Sequence, residues 1–331
     1  MKAIKFFAIS AMAAAMITSC SSEDELSQSN YPSDNIIRVT AGVNNAKTRA
    51  EGAGTEMKNA FSLTIVNKNT EKPELAKKYT YVDKVFSKTS GDWACSETLL
   101  WQDSKTPVDI VAFAPAQTGK FSGVCDNDGN IQSIAYSVAD DQSEKSDNND
   151  LLYYYAKDFN PGTSLVDKKL SIQFNHAFCM IDINVTLGTE FNKPKVLDDS
   201  PIVKVTLGGT KIAANVDVTN AASVVTASGE AADITTTKGT FTKAANAEAN
   251  AISHFSCIAI PQKVGANTFK VSLMTAGKLY EWTSAAPVEL KSGYRYTLEL
   301  TMGNNVVLLK GGSITATPWT EITGLKPLET E

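Results

Sequence analysis

Cys20 is the first residue whose setting implies chemistry. It closes the run Ile17-Thr18-Ser19-Cys20, behind a charged start at Lys2 and Lys5 and an apolar stretch from Phe6 to Ile17. That stretch falls short of the roughly 20 residues a spanning helix needs, and it ends in small residues, the pattern of a cleaved signal. The expectation is a lipoprotein signal peptide over residues 1–19, with Cys20 as the lipidated mature N-terminus carrying palmitate. Acyl chains there would hold the protein on a membrane, each buried methylene contributing about 0.8 kcal/mol. On composition, the acidic run Ser21-Ser22-Glu23-Asp24-Glu25 is a solvated tether.

The second position is Arg49. The chain has three arginines, Arg38, Arg49 and Arg295, against 28 lysines. Arg38 and Arg295 fall inside strand-like runs (Ile-Ile-Arg-Val and Gly-Tyr-Arg-Tyr), where a protease cannot easily draw the backbone into its cleft. Arg49 lies in a small, polar stretch, Asn44-Asn45-Ala46-Lys47-Thr48-Arg49-Ala50-Glu51-Gly52-Ala53-Gly54, of the type preferentially nicked. An arginine-specific protease is therefore expected to cut mainly between Arg49 and Ala50. The cut would separate the lipid, and a first strand carrying Ile36, Ile37, Val39, Ala41 and Val43, from the rest of the chain.

Other chemistry-bearing residues do not assemble into a catalytic pattern. His176 and His254 are far apart in sequence, and no HExxH, GxSxG, P-loop or GxGxxG motif occurs. His176 and Cys179 stand three apart on one strand, so their side chains point to opposite faces. Asp126-Asn127-Asp128-Gly129-Asn130 lacks the order of a calcium loop, and Asp128-Gly129 suits a hairpin turn. The acidic loop from Asp140 to Asp150 is read as solvated. Neither a metal nor another cofactor is called for, and the expectation is a protein that is not an enzyme.

Composition narrows the class further. Loss of residues 1–19 leaves 312 residues with 36 acidic and 29 basic side chains, a formal charge of −7. No basic stripe appears, which argues against nucleic acid as a partner. An exported chain permits disulfides, and Cys95, Cys125, Cys179 and Cys257 allow three pairings among which sequence cannot choose. Cys179 and Cys257 sit in apolar runs and read as small core hydrophobes. Cys95 and Cys125 lie near turn signals and are the better candidates for a bridge.

The elements that must position these residues are short β runs separated by Gly, Asn, Asp and Pro. Candidate strands are Ile36–Val43, Phe61–Val66, Tyr79–Phe86, Val108–Phe113, Ile131–Val138, Leu170–Leu187, Ile202–Leu207, Val216–Thr219, Phe255–Ile260, Phe269–Met274, Tyr294–Met302 and Val306–Trp319. Such spacing predicts antiparallel sandwiches. Residues 221–251, rich in Ala, Ser, Thr and Asn, are expected to form loops and weak edge strands. In Leu170–Leu187 the apolar parity switches: Leu170, Ile172, Phe174, Phe178 and Met180 share one face, and Ala177, Cys179, Ile181, Ile183 and Val185 the other. That switch implies a bulge, a strand that changes sheets, or burial on both faces. The polar stretch Gly188 to Ser200 reads as a linker. The expected division is a tether and first strand over 20–49, an N-terminal sandwich over 50–190 and a C-terminal sandwich over 191–331.

Taken together, these runs resemble the fimbrillin-like pilin lipoproteins of Bacteroidetes, which build type V pili. The resemblance rests on the lipobox, the strand Ile36–Val43 with Thr48-Arg49-Ala50, Asp150-Leu151-Leu152-Tyr153-Tyr154 and Leu170-Ser171-Ile172-Gln173-Phe174-Asn175-His176-Ala177. It rests equally on Ile258-Ala259-Ile260-Pro261-Gln262, on Gly293-Tyr294-Arg295-Tyr296-Thr297-Leu298 and on the ending Ile314–Trp319. The acidic run after Cys20 resembles the surface-export signal of such lipoproteins. The resemblance implies an all-β fold of two tandem transthyretin-like sandwiches, delivery to the outer membrane surface, and arginine-specific removal of the first strand. A C-terminal strand of the next subunit would then fill the emptied groove, a head-to-tail contact that does not close on itself and so builds a filament. Donor candidates are Val306, Val307, Leu308 and Leu309, or the stretch Ile314 to Trp319. The implied partners are other pilin subunits, the outer membrane, an arginine-specific protease and a host or bacterial surface ligand. Alternatives are an uncut pilus anchor, or a monomeric glycan- or protein-binding lipoprotein using Trp93, Trp101 or Trp282 as stacking platforms.

Overall fold

A computed structural model describes residues 30–44, 55–57, 59–89, 91–193, 195–310 and 314–319. Cys20, Arg49, Ala50 and the tail after Trp319 lie outside the described residues. In chain order the strands are β1 (Val39–Val43), β2 (Thr55–Glu56), β3 (Phe61–Asn67), β4 (Tyr81–Thr89), β5 (Asp92–Cys95), β6 (Val108–Ala114), β7 (Ile134–Ser137), β8 (Leu152–Phe159), β9 (Leu170–His176) and β10 (Cys179–Leu187). They continue as β11 (Ile202–Val216), β12 (Val225–Thr235), β13 (Thr237–Thr242), β14 (Ala251–Ala259), β15 (Lys263–Val264), β16 (Lys270–Thr275), β17 (Leu279–Thr283), β18 (Val288–Glu289), β19 (Tyr294–Met302), β20 (Val307–Leu309) and β21 (Thr315–Pro318). Two short helices, α1 (Pro73–Lys78) and α2 (Pro161–Ser164), each begin at a proline, whose fixed φ suits a first helical turn. The fold is all-β, built of packed sheets.

The first sheet has the order β2-β1-β9-β8-β6-β3-β4-β5. A second sheet runs β13-β14-β10-β19-β20, with β21 also on β19, and a third runs β12-β11-β16-β17, with β7 on β11. The first sheet encloses one apolar cluster around Phe61, Leu63, Ile110, Leu170, Ile172 and Phe174. The other two sheets enclose a larger one around Phe178, Ile181, Ile183, Leu207, Leu273 and Leu298. Strand β6 serves both. Val108, Ile110, Ala112 and Ala114 enter the first cluster, whereas Val111 and Phe113 enter the second, as period-two alternation dictates for a strand buried on both faces.

The parity switch in Leu170–Leu187 is a change of sheet. Leu170, Ile172, Phe174 and His176 are buried in β9, and Cys179, Ile181, Ile183, Val185 and Leu187 in β10. Ala177 and Phe178 between them are both buried, and there the chain leaves the first sheet for the second. The pairing therefore changes sheets at Ala177–Phe178, inside the segment expected to belong wholly to the first sandwich, rather than at residues 190–191. Strand β7 likewise pairs into the third sheet. The polar stretch from Gly188 is a surface connection within the second half: a single 3-10 turn, Thr189–Asn192, tied back where Asn192 Nδ2 donates to the Ala249 carbonyl at 2.8 Å.

Residues 221–251 carry β12 and β13, which stand at the edges of their sheets. Their side chains are small and largely exposed, so edge positions suffice for them. Val216–Thr219 is not a strand of its own, because β11 runs through to Val216 and turns at Asp217. The Asp126 loop is a turn closed by Asp126 N donating to the Asn130 carbonyl at 3.0 Å, with Gly129 at φ +79°, a conformation other residues rarely adopt. The Asp126 carboxylate already accepts bonds from Asp128 N, Asn130 N and Gln132 Nε2.

Candidate assembly site

The first strand is laid along the open side of β9. Its register is parallel, from Val39 opposite Leu170 to Val43 opposite Phe174. Leu170 N donates to the Arg38 carbonyl at 2.8 Å, and Asn44 N donates to the Phe174 carbonyl at 2.7 Å. Just upstream the chain pairs elsewhere: Ile37 N donates to the Leu99 carbonyl at 2.9 Å, and Trp101 N to the Asn35 carbonyl at 2.8 Å. On its far side, among the described residues, β1 pairs with the two-residue β2, and the connection between them carries Arg49.

Alternation decides which side chains fill the groove. Ile37, Val39 and Val43 are buried against Leu170, Ile172 and Phe174, and Ala41 is half-buried among them. Ile36, expected among the groove residues, instead faces the other way and is half-buried at a bridge to Leu100. Arg38 forks onto Asp34, with Nη1 to Oδ1 at 3.0 Å and Nη2 to Oδ2 at 2.6 Å. Arg38 stands one residue before β1, its carbonyl bonded to Leu170 N, and Arg295 lies within β19.

The second feature is the opposite edge of β19. Strand β20 pairs with its far half, Leu300 to Met302, and β21 with its near half, Tyr294 to Thr297, so the two run end to end along one edge. Val307 is buried, Leu309 and Ile314 are half-buried, and Val306 and Leu308 are 50% and 58% exposed. All four residues of β21 are exposed. Beside the pair lies an open cleft of about 390 Å³ lined by Pro287, Val288, Tyr296, Leu309, Ile314 and Ala316, while Val307 belongs to the main cluster and Leu309 and Ile314 pack against it.

Trp319 closes this edge in a way the sequence did not indicate. Its backbone N donates to the Gly293 carbonyl at 2.7 Å, and its indole stacks on the His176 ring, centroids 3.8 Å apart and planes 13° from parallel. His176 Nδ1 lies 3.0 Å from Asp150 Oδ1. The last described residue of the second half thus rests on the last residue of β9 in the first. A tryptophan just before a polar tail was the only sequence signal, and it named no partner.

A polar row crosses the solvent-side face of β14, β10 and β19. Arg295 and Asp182 form an ion pair at 2.6 Å, and burial pushes the Asp182 carboxyl up against the opposing pull of Arg295. His254 Nδ1 lies 2.8 Å from Asn184 Oδ1, and Asn184 Nδ2 donates to Glu299 Oε1 at 2.6 Å. The row thus pairs Arg295 with Asp182 and links His254, Asn184 and Glu299 across the three strands. Of the tryptophans considered as platforms, Trp101 is buried and stacked on Phe159, while Trp93 and Trp282 are half-buried and meet Phe61 and Phe269 edge-on.

All four described cysteines are free thiols, so the Cys95–Cys125 bridge is not formed. Burial pushes the Cys179 and Cys257 thiols well above their ordinary range. Since the thiolate is the reactive form, native protein is expected to alkylate first at half-buried Cys95, more slowly at Cys125, whose thiol is also pushed up by burial and by Asp126, and to leave Cys179 and Cys257 unmodified until denatured. Mass spectrometry of iodoacetamide-treated peptides checks this; rapid native labelling of Cys257 would contradict the buried pairing of β10 with β14.

Comparison with known proteins places this geometry. The family model described as fimbrillin-like matches residues 48–319. A structure from Bacteroides ovatus, described as a cell-adhesion protein, has a TM-score of 0.61 at 16% identity, covering 87% of this chain and 98% of that one. One from Bacteroides uniformis, described likewise, has a TM-score of 0.57 at 15% identity, covering 87% of this chain and 100% of that one. A fimbrial protein from Bacteroides vulgatus has a TM-score of 0.52 at 14% identity, covering 86% of this chain and 99% of that one. No curated protein matches in sequence.

Proposed function

This chain belongs to the fimbrillin-like family, whose members are structural cell-surface proteins rather than enzymes, and we propose that it is a pilin subunit polymerised by strand exchange. In this reading the chain is exported as a lipoprotein through Cys20, reaches the outer membrane surface, and is cut between Arg49 and Ala50. The two halves are tandem transthyretin-like sandwiches. Loss of β1 opens the edge of β9, and the β20–β21 edge of another subunit takes its place.

The observation that carries the reading is the pairing of one removable edge with one half-exposed edge. β1 is held laterally between β9 and a two-residue β2, and its link to β2 contains the arginine. An emptied groove would expose the backbone groups of Leu170 to Phe174 together with apolar pockets, a template that an added strand satisfies. β20 and β21 are a ready donor, half exposed beside a cleft.

Digestion of the secreted chain with an arginine-specific protease, followed by N-terminal sequencing and an unboiled SDS gel, tests it. The expected result is one new terminus at Ala50 and an SDS-resistant ladder, both absent from the Arg49→Ala variant. Cleavage without a ladder would sink strand exchange. Resistance at Arg49 would instead favour an uncut anchor held by its lipid.

A further inference from the structure

We propose that Trp319 and His176 form a latch on the C-terminal strand, and that β9 couples this latch to β1, so that removing the first strand also loosens the donor. The inference rests on the strand-exchange reading for its purpose but not for its structure.

The latch is local and specific. β21 exposes every residue it has, so its pairing with Tyr294 to Thr297 is supported by little apolar burial. Trp319, 8% exposed, is the anchor at its end. What the indole lies on is His176, itself 5% exposed, oriented by Asp150. A donor strand leaving its own subunit must break that stack, and an aromatic pair of this kind contributes beyond the area it buries.

The coupling follows from how β9 is held. On one side it has five residue pairs with β1; on the other it has two with β8, Leu152 opposite His176 and Tyr153 opposite Asn175. The end of β1 reaches almost to the latch, because Asn44 Nδ2 donates to Asn175 Oδ1 at 2.9 Å, next to His176. From there a backbone relay runs to the tryptophan: Gly293 N donates to the Phe178 carbonyl at 2.9 Å, and Trp319 N donates to the Gly293 carbonyl. Without β1, β9 becomes an edge strand paired only at its last two residues. Opening free energies fall where backbone pairs are lost, so the end of β9 opens more often and the indole loses its platform. Unprocessed subunits thus keep their donor docked, and premature polymerisation is suppressed.

Hydrogen exchange followed by mass spectrometry on the full chain tests this without relying on cleavage. Thr40→Pro removes a β1 N–H that the parallel register directs at β9 and so unseats β1 at the pair Thr40–Ser171, and His176→Ala removes the platform alone. Thr40→Pro is expected to raise exchange roughly tenfold over both 170–176 and 315–319, with 251–259 still protected. His176→Ala should raise it over 315–319 only. Faster exchange at 170–176 with 315–319 unchanged in Thr40→Pro would overturn the coupling, and so would unchanged exchange at both. An unaltered 315–319 in His176→Ala would overturn the latch. Should Thr40→Pro deprotect 251–259 as well, Val39→Ser replaces it under the same criteria. The ladder assay reports separately, so a latch without a ladder would retire strand exchange and leave the inference standing.

Discussion

Subunits lacking residues 314–331 will fold, accept the cut at Arg49 and fail to extend a polymer. Folding survives because β19 keeps eight residue pairs with β10 and three with β20, and its buried Tyr296, Leu298, Leu300 and Met302 stay in the main cluster. Extension fails because the deleted segment holds β21 and Trp319, the part of the C-terminal edge that is exposed and end-anchored. Size-exclusion chromatography and circular dichroism establish that the truncated subunit is folded; an unboiled gel after digestion reads assembly. Mixing it with intact processed subunits should give ladders shortened at one end, since the truncated copy accepts a strand but cannot donate one. A normal ladder from the truncated subunit alone would move the donor to Val307–Leu309.

A processed subunit stripped of β1 will lose much of the stability of its first sandwich until a donor strand binds. Ile37, Val39 and Val43 are buried, and at about 1.5–3 kcal/mol per side chain their burial contributes roughly 5–9 kcal/mol. Domains are stable by only about 5–15 kcal/mol, so this loss is comparable to the whole margin. With about 2–4 °C of Tm per kcal/mol for a domain of this size, the first transition should fall by roughly 10–30 °C. Until a donor strand displaces it, the cut strand occupies its groove as a bound peptide and holds the transition up. Mild denaturant followed by gel filtration removes it, and calorimetry reads the result. A synthetic peptide spanning residues 306–319 should restore the transition, whereas a scrambled one should not. An unchanged Tm after verified removal of residues 30–44 would mean that β1 is a surface strap and that no groove opens beneath it.

Much of this architecture was legible in the order of the residues. β-rich runs bounded by Gly, Asn, Asp and Pro located β3, β6, β16 and β19 to within a residue at each end, because strand-forming side chains and chain-breaking ones are both local signals. The parity switch at Ala177–Phe178 was visible because side chains alternate along a strand, although three explanations competed until the pairing partners were known. Strands that alternate weakly escaped notice. β5 and β17 are short and half exposed, and β8 is a run of tyrosines that gives no polar phase, whereas β12, with its many small side chains, was expected only as a weak edge strand. The expectation put Ile36 rather than Ile37 in the groove, because neighbouring isoleucines do not reveal which one points inward.

Sequence by itself determined the all-β class, the first strand that Arg49 follows, the lack of a catalytic constellation and the resemblance to fimbrillin-like pilins. Each of these depends on composition, local alternation or a short motif, which the chain carries whatever its distant parts do. Only the tertiary structure decided that β1 runs parallel to β9, that β20 and β21 share one edge of β19, that the halves exchange sheets at Ala177, and that Trp319 rests on His176. The pairing of β1 with β9 and the contact of Trp319 with His176 join residues more than a hundred positions apart, the shared edge of β19 depends on which strands pair, and the hydrophobic effect that drives these contacts is non-directional. A buried tryptophan needs some apolar or aromatic surface, and many in this chain would serve; geometry alone selects which one it meets.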